Sequence, residues 1–207
     1  MVSKVQSATP YGFHGQMIDI EGDISRGLPG VQIVGLGNKA IDESRDRVRG
    51  AIKNSSLDFP KGKIVINLAP AELPKDGSQF DLPIALTILC LGGLLSQNDL
   101  DGALFAGELA LDGSLRPIRS AIITAEIAKK HEIHTVYVPS QNANQAALVS
   151  GVEIIPVDNL KSLFLHLKKK ESYSPSAKLN LATQKHQKTI YPLITYTDKS
   201  KLNEQSK

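Results

Sequence analysis

A chain of 207 residues, 41% hydrophobic and 22% charged, can bury a sizeable core and has room for one ordinary domain with something left over. A formal net charge of +3 is too small to imply nucleic acid by itself, so any such role must rest on where the charges cluster. The lone cysteine, Cys90, excludes a disulfide framework, and no apolar run approaches the ~18 residues of a membrane span. Without a charged segment followed by an apolar one at the N-terminus, the expected location is the cytoplasm.

The first clear pattern is the two-residue alternation of Met17 to Ile24, which predicts a half-buried strand. Gly27-Leu28-Pro29-Gly30 then turns the chain into a second strand, Val31 to Val34. From Asn38, a predicted N-cap, Ile41, Val48 and Ile52 share one face of a helix that runs to about Asn54. Lys63 to Leu68 reads as a strand and residues 80–92 as an apolar helix carrying Cys90, whose setting predicts a buried thiol. Leu104 to Leu111 and Leu115 to Ile118 flank the hairpin dipeptide Asp112-Gly113. Helices near 119–131, 142–149 and 159–167 then alternate with strands Thr135 to Val138 and Val152 to Val157. Hairpins mixed with β-α-β units predict an α/β (α+β) sandwich built on a mixed sheet. After Leu167 the periodicity stops, so residues 1–167 are the expected domain and 168–207 a tail that is disordered or orders only against a partner.

Several motifs have plain readings. Gly35-Leu36-Gly37-Asn38-Lys39-Ala40 has the outline of a dinucleotide fingerprint, but a hairpin precedes it and no acid ends the following strand; a tight strand-to-helix turn is the better account. No phosphate-binding loop of the form G-x-x-x-x-G-K-S/T is present, so no ATP hydrolysis is expected of this polypeptide alone. The histidines His14, His131, His134, His166 and His186 have no ligand partner at metal-binding spacing, and no metal is expected. Arg45, Arg49 and Lys53 recur at spacing four with Arg47 nearby, making a candidate DNA-contact stripe. Asp42, Glu43 and Asp46 could instead turn it into a solvated, ion-paired face. Lys61, Lys63, Arg116 and Arg119 would extend the stripe if the fold brings them to it.

The central segment, Leu73-Pro74-Lys75-Asp76-Gly77-Ser78-Gln79-Phe80-Asp81-Leu82-Pro83, feeds a turn directly into an apolar helix, the geometry that presents a side chain at a helix N-terminus. Together with Gly27 to Leu36, Ser44 to Arg49, Asn67 to Ala85, Gly107 to Ile118 and Val138 to Asn142, it resembles the N-terminal domain of the magnesium-chelatase-like ATPases called ComM or YifB. That resemblance covers about residues 1–167. It implies the fold of the Lon proteolytic domain, shared with the C-terminal domain of the recombination ATPase RadA.

By the same resemblance, Lys75-Asp76-Gly77 aligns with the Lon nucleophile loop and puts Gln79 at the nucleophile, Ser78 one place early and Ile122 at the general-base lysine. An amide cannot be deprotonated for attack and isoleucine cannot take a proton, so neither position can support that dyad. Asp81 matches the aspartate of RadA-type loops and is expected to satisfy free amides at the helix N-terminus. Family members continue into an AAA+ module that binds ATP and magnesium and resemble hexameric motors driving DNA branch migration in natural transformation. The implied role here is a non-catalytic module for self-association and contact with duplex or branched DNA, with no membrane. The alternatives are a residual serine hydrolase using Ser78 with Lys75, or the product of a truncated gene.

Overall fold

In a computed structural model the described residues are 2–12, 14–35, 39–75 and 77–168, all within the first of the two units into which the chain divides. Two long strands, β1 (Val2–Tyr11) and β2 (His14–Ser25), open it as an antiparallel pair with Val5 opposite Ile20. β3 (Gly30–Val34), helix α1 (Lys39–Asn54) and β4 (Lys63–Ala69) follow, then α2 (Asp81–Leu91) and β5 (Ala103–Phe105). A small hairpin, β6 (Glu108–Leu109) with β7 (Leu115–Arg116), precedes α3 (Ala121–Lys130), β8 (Thr135–Pro139), α4 (Ser140–Ala146), β9 (Glu153–Val157) and α5 (Leu160–Leu167).

Seven strands form one sheet in the order β3-β4-β2-β1-β5-β8-β9. Its β1–β2 and β2–β4 pairs are antiparallel and the β3–β4, β1–β5, β5–β8 and β8–β9 pairs parallel, the mixed sheet expected of the alternating hairpins and β-α-β units. Strand alternation sends side chains to both faces. Val5, Ile20, Ile64, Ile66, Leu68, Ile155 and Val157 pack with α1, α2 and α5, while Ala8, Leu104, Val136 and Val138 pack with α3 on the other side. Every residue of α2 is buried, Cys90 included, which is why its sequence shows no amphipathic stripe. Among the described residues no helix is long and apolar enough to cross a membrane.

The expected elements recur with small shifts, and three differences have physical causes. β1 has no predicted counterpart, because its buried positions include Ser3, Ser7 and Thr9, so no apolar alternation marks it. The expected strand Leu104 to Leu111 is divided between the main sheet and the hairpin. Its break falls at Gly107, whose N–H donates to the Gln79 carbonyl (2.9 Å) and whose carbonyl accepts from the Leu82 N–H (3.0 Å). The N-cap assigned to Asn38 and the tail from 169 onward lie outside the described residues. Gly35, at φ 104°, does make the tight turn after β3: a Cβ there would sit 2.3 Å from the Leu68 carbonyl oxygen.

Gly22 on β2 lets α2 approach the sheet, since a Cβ there would fall 2.5 Å from Thr87 Cγ2 and 2.9 Å from Leu91 Cδ1. Gly22→Ala should therefore cost about 1–3 kcal/mol through overpacking in urea unfolding. Leu28→Ala, at a side chain 91% exposed, should stay within about 0.5 kcal/mol of wild type.

Candidate functional site: the degenerate nucleophile loop and its cleft

Ser78, Gln79 and Phe80 form a single 3₁₀ turn that leads straight into α2. Beside it opens a cleft of about 610 Å³, walled by Thr9 and Pro10 of β1, Pro74, Gly77, Ser78 and Gln79 of the loop, Glu108 of β6, and the segment Pro117 to Ser120 that enters α3. Gln79, the nucleophile position, is 7% exposed, and its amide reaches the Thr9 hydroxyl at 3.5 Å. Ile122, the base position, sits half-buried in the first turn of α3, just past the cleft wall. Gln79 therefore lines the cleft, whereas Ile122 lies outside its walls.

The alternative pair is not in contact. The Ser78 hydroxyl donates to Glu108, whose other carboxylate oxygen lies 3.5 Å from Arg116 Nη1. Lys75 is fully buried, and its ammonium donates to the Pro70 carbonyl. Burial drives the Lys75 pKa below the ordinary lysine value, and the nearby Glu72 carboxylate only partly restores it. Asp76 lies outside the described residues.

Asp81 departs from its expected capping role. It is fully buried at the start of α2, but its carboxylate serves other elements: Arg47 Nε and Nη2 donate at 2.8 and 3.1 Å, the Leu109 N–H at 3.2 Å, and the Ser44 hydroxyl donates as well. Burial pushes the Asp81 carboxyl up, opposed by Arg47, Ser44 and the Leu109 amide; its bond to Asp81 raises Arg47 in turn. Arg47, whose side chain is 21% exposed, also lies 3.8 Å from Glu43. Its charge is therefore directed at Asp81 instead of joining an outward stripe.

The other basic candidates separate. Arg45, Arg49 and Lys53 are exposed along α1, with Arg45 3.4 Å from Asp46 and Arg49 5.4 Å above the Phe59 ring. Lys61 is exposed in the loop before β4. Lys63 alternates with Ile64, which packs under α1, so it projects from the opposite face of the sheet. Arg116 and Arg119 belong to the hairpin and the cleft wall. Sequence reasoning did not single out Ser44, Thr9, Glu108 or Ser120. Ser44, Thr9 and Glu108 are single polar residues that meet partners far away in the chain, Ser120 has a buried hydroxyl with no partner, and no local spacing marks any of them.

Residues 20–142 match the family model described as subunit ChlI of Mg-chelatase. The chain is 40% identical over 171 residues to the uncharacterized protein YifB of Escherichia coli strain K12, an alignment spanning 83% of this chain and 34% of that protein. It is 41% identical over 146 residues to competence protein ComM of Haemophilus influenzae, spanning 70% and 28%. It is 25% identical over 165 residues to the Lon protease of Azorhizobium caulinodans, spanning 73% and 19%. The fold thus defines an α/β domain on a mixed seven-stranded sheet, and the distant match to Lon is consistent with a Lon-like arrangement. Within that class, the chain belongs to the ChlI Mg-chelatase-like family and resembles the N-terminal domain of its ComM and YifB members. It spans about a third of the length of the curated relatives it matches.

Two outcomes test this geometry. Arg47→Ala leaves Asp81 buried without its cation and should cost about 3–5 kcal/mol in urea unfolding, against about 0.5 kcal/mol or less for Arg45→Ala. At Lys75 the folded state binds its proton less tightly than the unfolded state. Stability should therefore rise with pH from the lowered pKa up to about 10.4, the ordinary value, because over that window the unfolded chain holds more protons. Lys75→Met should flatten that rise in unfolding curves recorded across alkaline pH.

Proposed function

We propose that this domain is a non-catalytic Lon-like module whose α1 surface contacts duplex or branched DNA, without sequence preference, when several copies are held together. The observation that carries this reading is the exposed row of Arg45, Arg49 and Lys53, three cations at spacing four along one helical edge. Among the described residues, Glu43 approaches Arg47 and Asp46 approaches Arg45, while Arg49 and Lys53 make no ion pair. Gln79 and Ile122 at the dyad positions favour a binding role over hydrolysis.

In the longer family proteins, the module would serve assembly beside an AAA+ motor that binds ATP and magnesium, a hexameric helicase acting in transformation or recombination. The name of the Haemophilus influenzae relative, competence protein, fits that setting. One copy engages only a few phosphates, so a single domain should bind in the non-specific range of about 10⁻⁴ to 10⁻⁶ M, and linkage in a ring would raise the effective concentration.

The test is duplex binding by fluorescence anisotropy at two salt concentrations. Wild-type affinity should fall steeply as salt rises, and Arg45→Glu with Arg49→Glu should weaken low-salt binding by about tenfold or more. Equal low-salt affinity for the two proteins would remove α1 as the contact.

A further inference from the structure

The two ends of the main sheet differ in what they offer a partner. β3 and β9 are its terminal strands, each hydrogen-bonded on one side only. In β3 the Gly30 N–H donates to the Gly62 carbonyl (3.1 Å), so Gly30, Gln32 and Val34 direct their main-chain groups at β4 and, by alternation, Val31 and Ile33 direct theirs outward. In β9 the Glu153 N–H donates to the His134 carbonyl (2.7 Å), which leaves Ile154 and Pro156 outward. Proline has no N–H to give, so that edge is blunted. β3 has no such guard: it contains neither a proline nor a charged residue, and none of its five residues is buried. The N–H and C=O groups of Val31 and Ile33 therefore form an open edge with no partner among the described residues.

The sequence of that edge fits a second copy of itself. In an antiparallel pair centred on Gln32, each Val31 faces an Ile33; these are the residues with outward main-chain groups, so both pairs exchange two hydrogen bonds. No other antiparallel alignment of the strand employs all of those groups. Gln32 then faces its twin at the centre, where each exposed side-chain amide finds both a donor and an acceptor. Each Val34, itself exposed, crosses a Gly30, whose missing side chain leaves it room. An uncharged strand also meets no like charge across the axis. We propose that β3 pairs antiparallel with β3 of a second copy of this chain, about a two-fold axis at Gln32, joining two seven-stranded sheets into one. Such a contact is isologous and closes as a dimer, and it is independent of the DNA contact on α1. Five residues a side lie at the small, transient end of protein interfaces, so the dimer forms reversibly as concentration rises.

The test is sedimentation velocity of the whole chain over a concentration series, in which the wild type should move toward a dimer. Gln32→Lys and Gln32→Glu, folded as judged by circular dichroism, should each weaken the dimer by about fivefold, because like charges then face each other across the axis. An equimolar mixture of the two should recover at least the wild-type affinity, a result that requires this residue to face its own twin. Gln32→Cys should form a disulfide-linked dimer on mild oxidation, since facing residues of such a pair lie about 4.5 Å apart at Cα and the native Cys90 is buried. Leu148→Cys, exposed in the turn before β9, should not. The proposal is overturned by sedimentation that is independent of concentration, by either charge variant dimerising at wild-type strength, by a mixture that associates no better than its components, or by a Gln32→Cys protein that links no faster than Leu148→Cys.

Discussion

The buried carboxylate of Asp81 is the constraint around which the working end of this domain is arranged. A carboxylate removed from water is costly unless its oxygens are matched by donors, and here they are matched from three directions: the guanidinium of Arg47 and hydroxyl of Ser44 on α1, and the Leu109 amide on β6. The two-pronged bond from Arg47 has strict geometry, so it fixes the rotation of α1 against the first turn of α2 as well as holding the two helices together. The bond to Leu109 ties the small hairpin to the same point, and the main-chain bonds of Gly107 to Gln79 and Leu82 close the arrangement beside the loop.

That one tie divides the surface of α1 into separate uses. Ile41, Val48 and Ile52 enter the core, Ser44 and Arg47 face Asp81, and Arg45, Arg49 and Lys53 are left outside. A cation that looks interchangeable with its neighbours in the sequence is thus a structural element, whereas Arg45, beside Asp46, and Arg49, over the Phe59 ring, stay exposed. The same arrangement sets the shape of the cleft, because Glu108 and Gln79 are held on opposite sides of the Gly107 bonds.

The cleft keeps the form of a catalytic loop while its polar groups have other partners. Gln79 reaches Thr9, Ser78 donates to Glu108, and Lys75 is sealed inside against the Pro70 carbonyl. Of these, only the Ser78 hydroxyl and the Lys75 ammonium carry an exchangeable proton suited to acid-base chemistry, and each is held by a partner other than the other. The Ser120 hydroxyl differs in having no partner of its own.

Much of this was legible from the sequence alone. The mixed α/β class, nearly every helix and strand, the burial of Cys90 and the turn at Gly35 all follow from local periodicity and turn residues. These are properties of single residues or of neighbours within a few positions. β1 stayed hidden because three of its buried positions are Ser3, Ser7 and Thr9, and the strand from Leu104 was read too long because nothing local shows Gly107 diverted to the loop. The pairing of Arg47 with Asp81, the contact of Ser78 with Glu108, the burial of Lys75 and the orphaned hydroxyl of Ser120 were decided only by the tertiary structure. Each depends on groups from distant parts of the chain meeting, or failing to meet, inside a low-dielectric interior, and a one-dimensional pattern contains no record of that proximity.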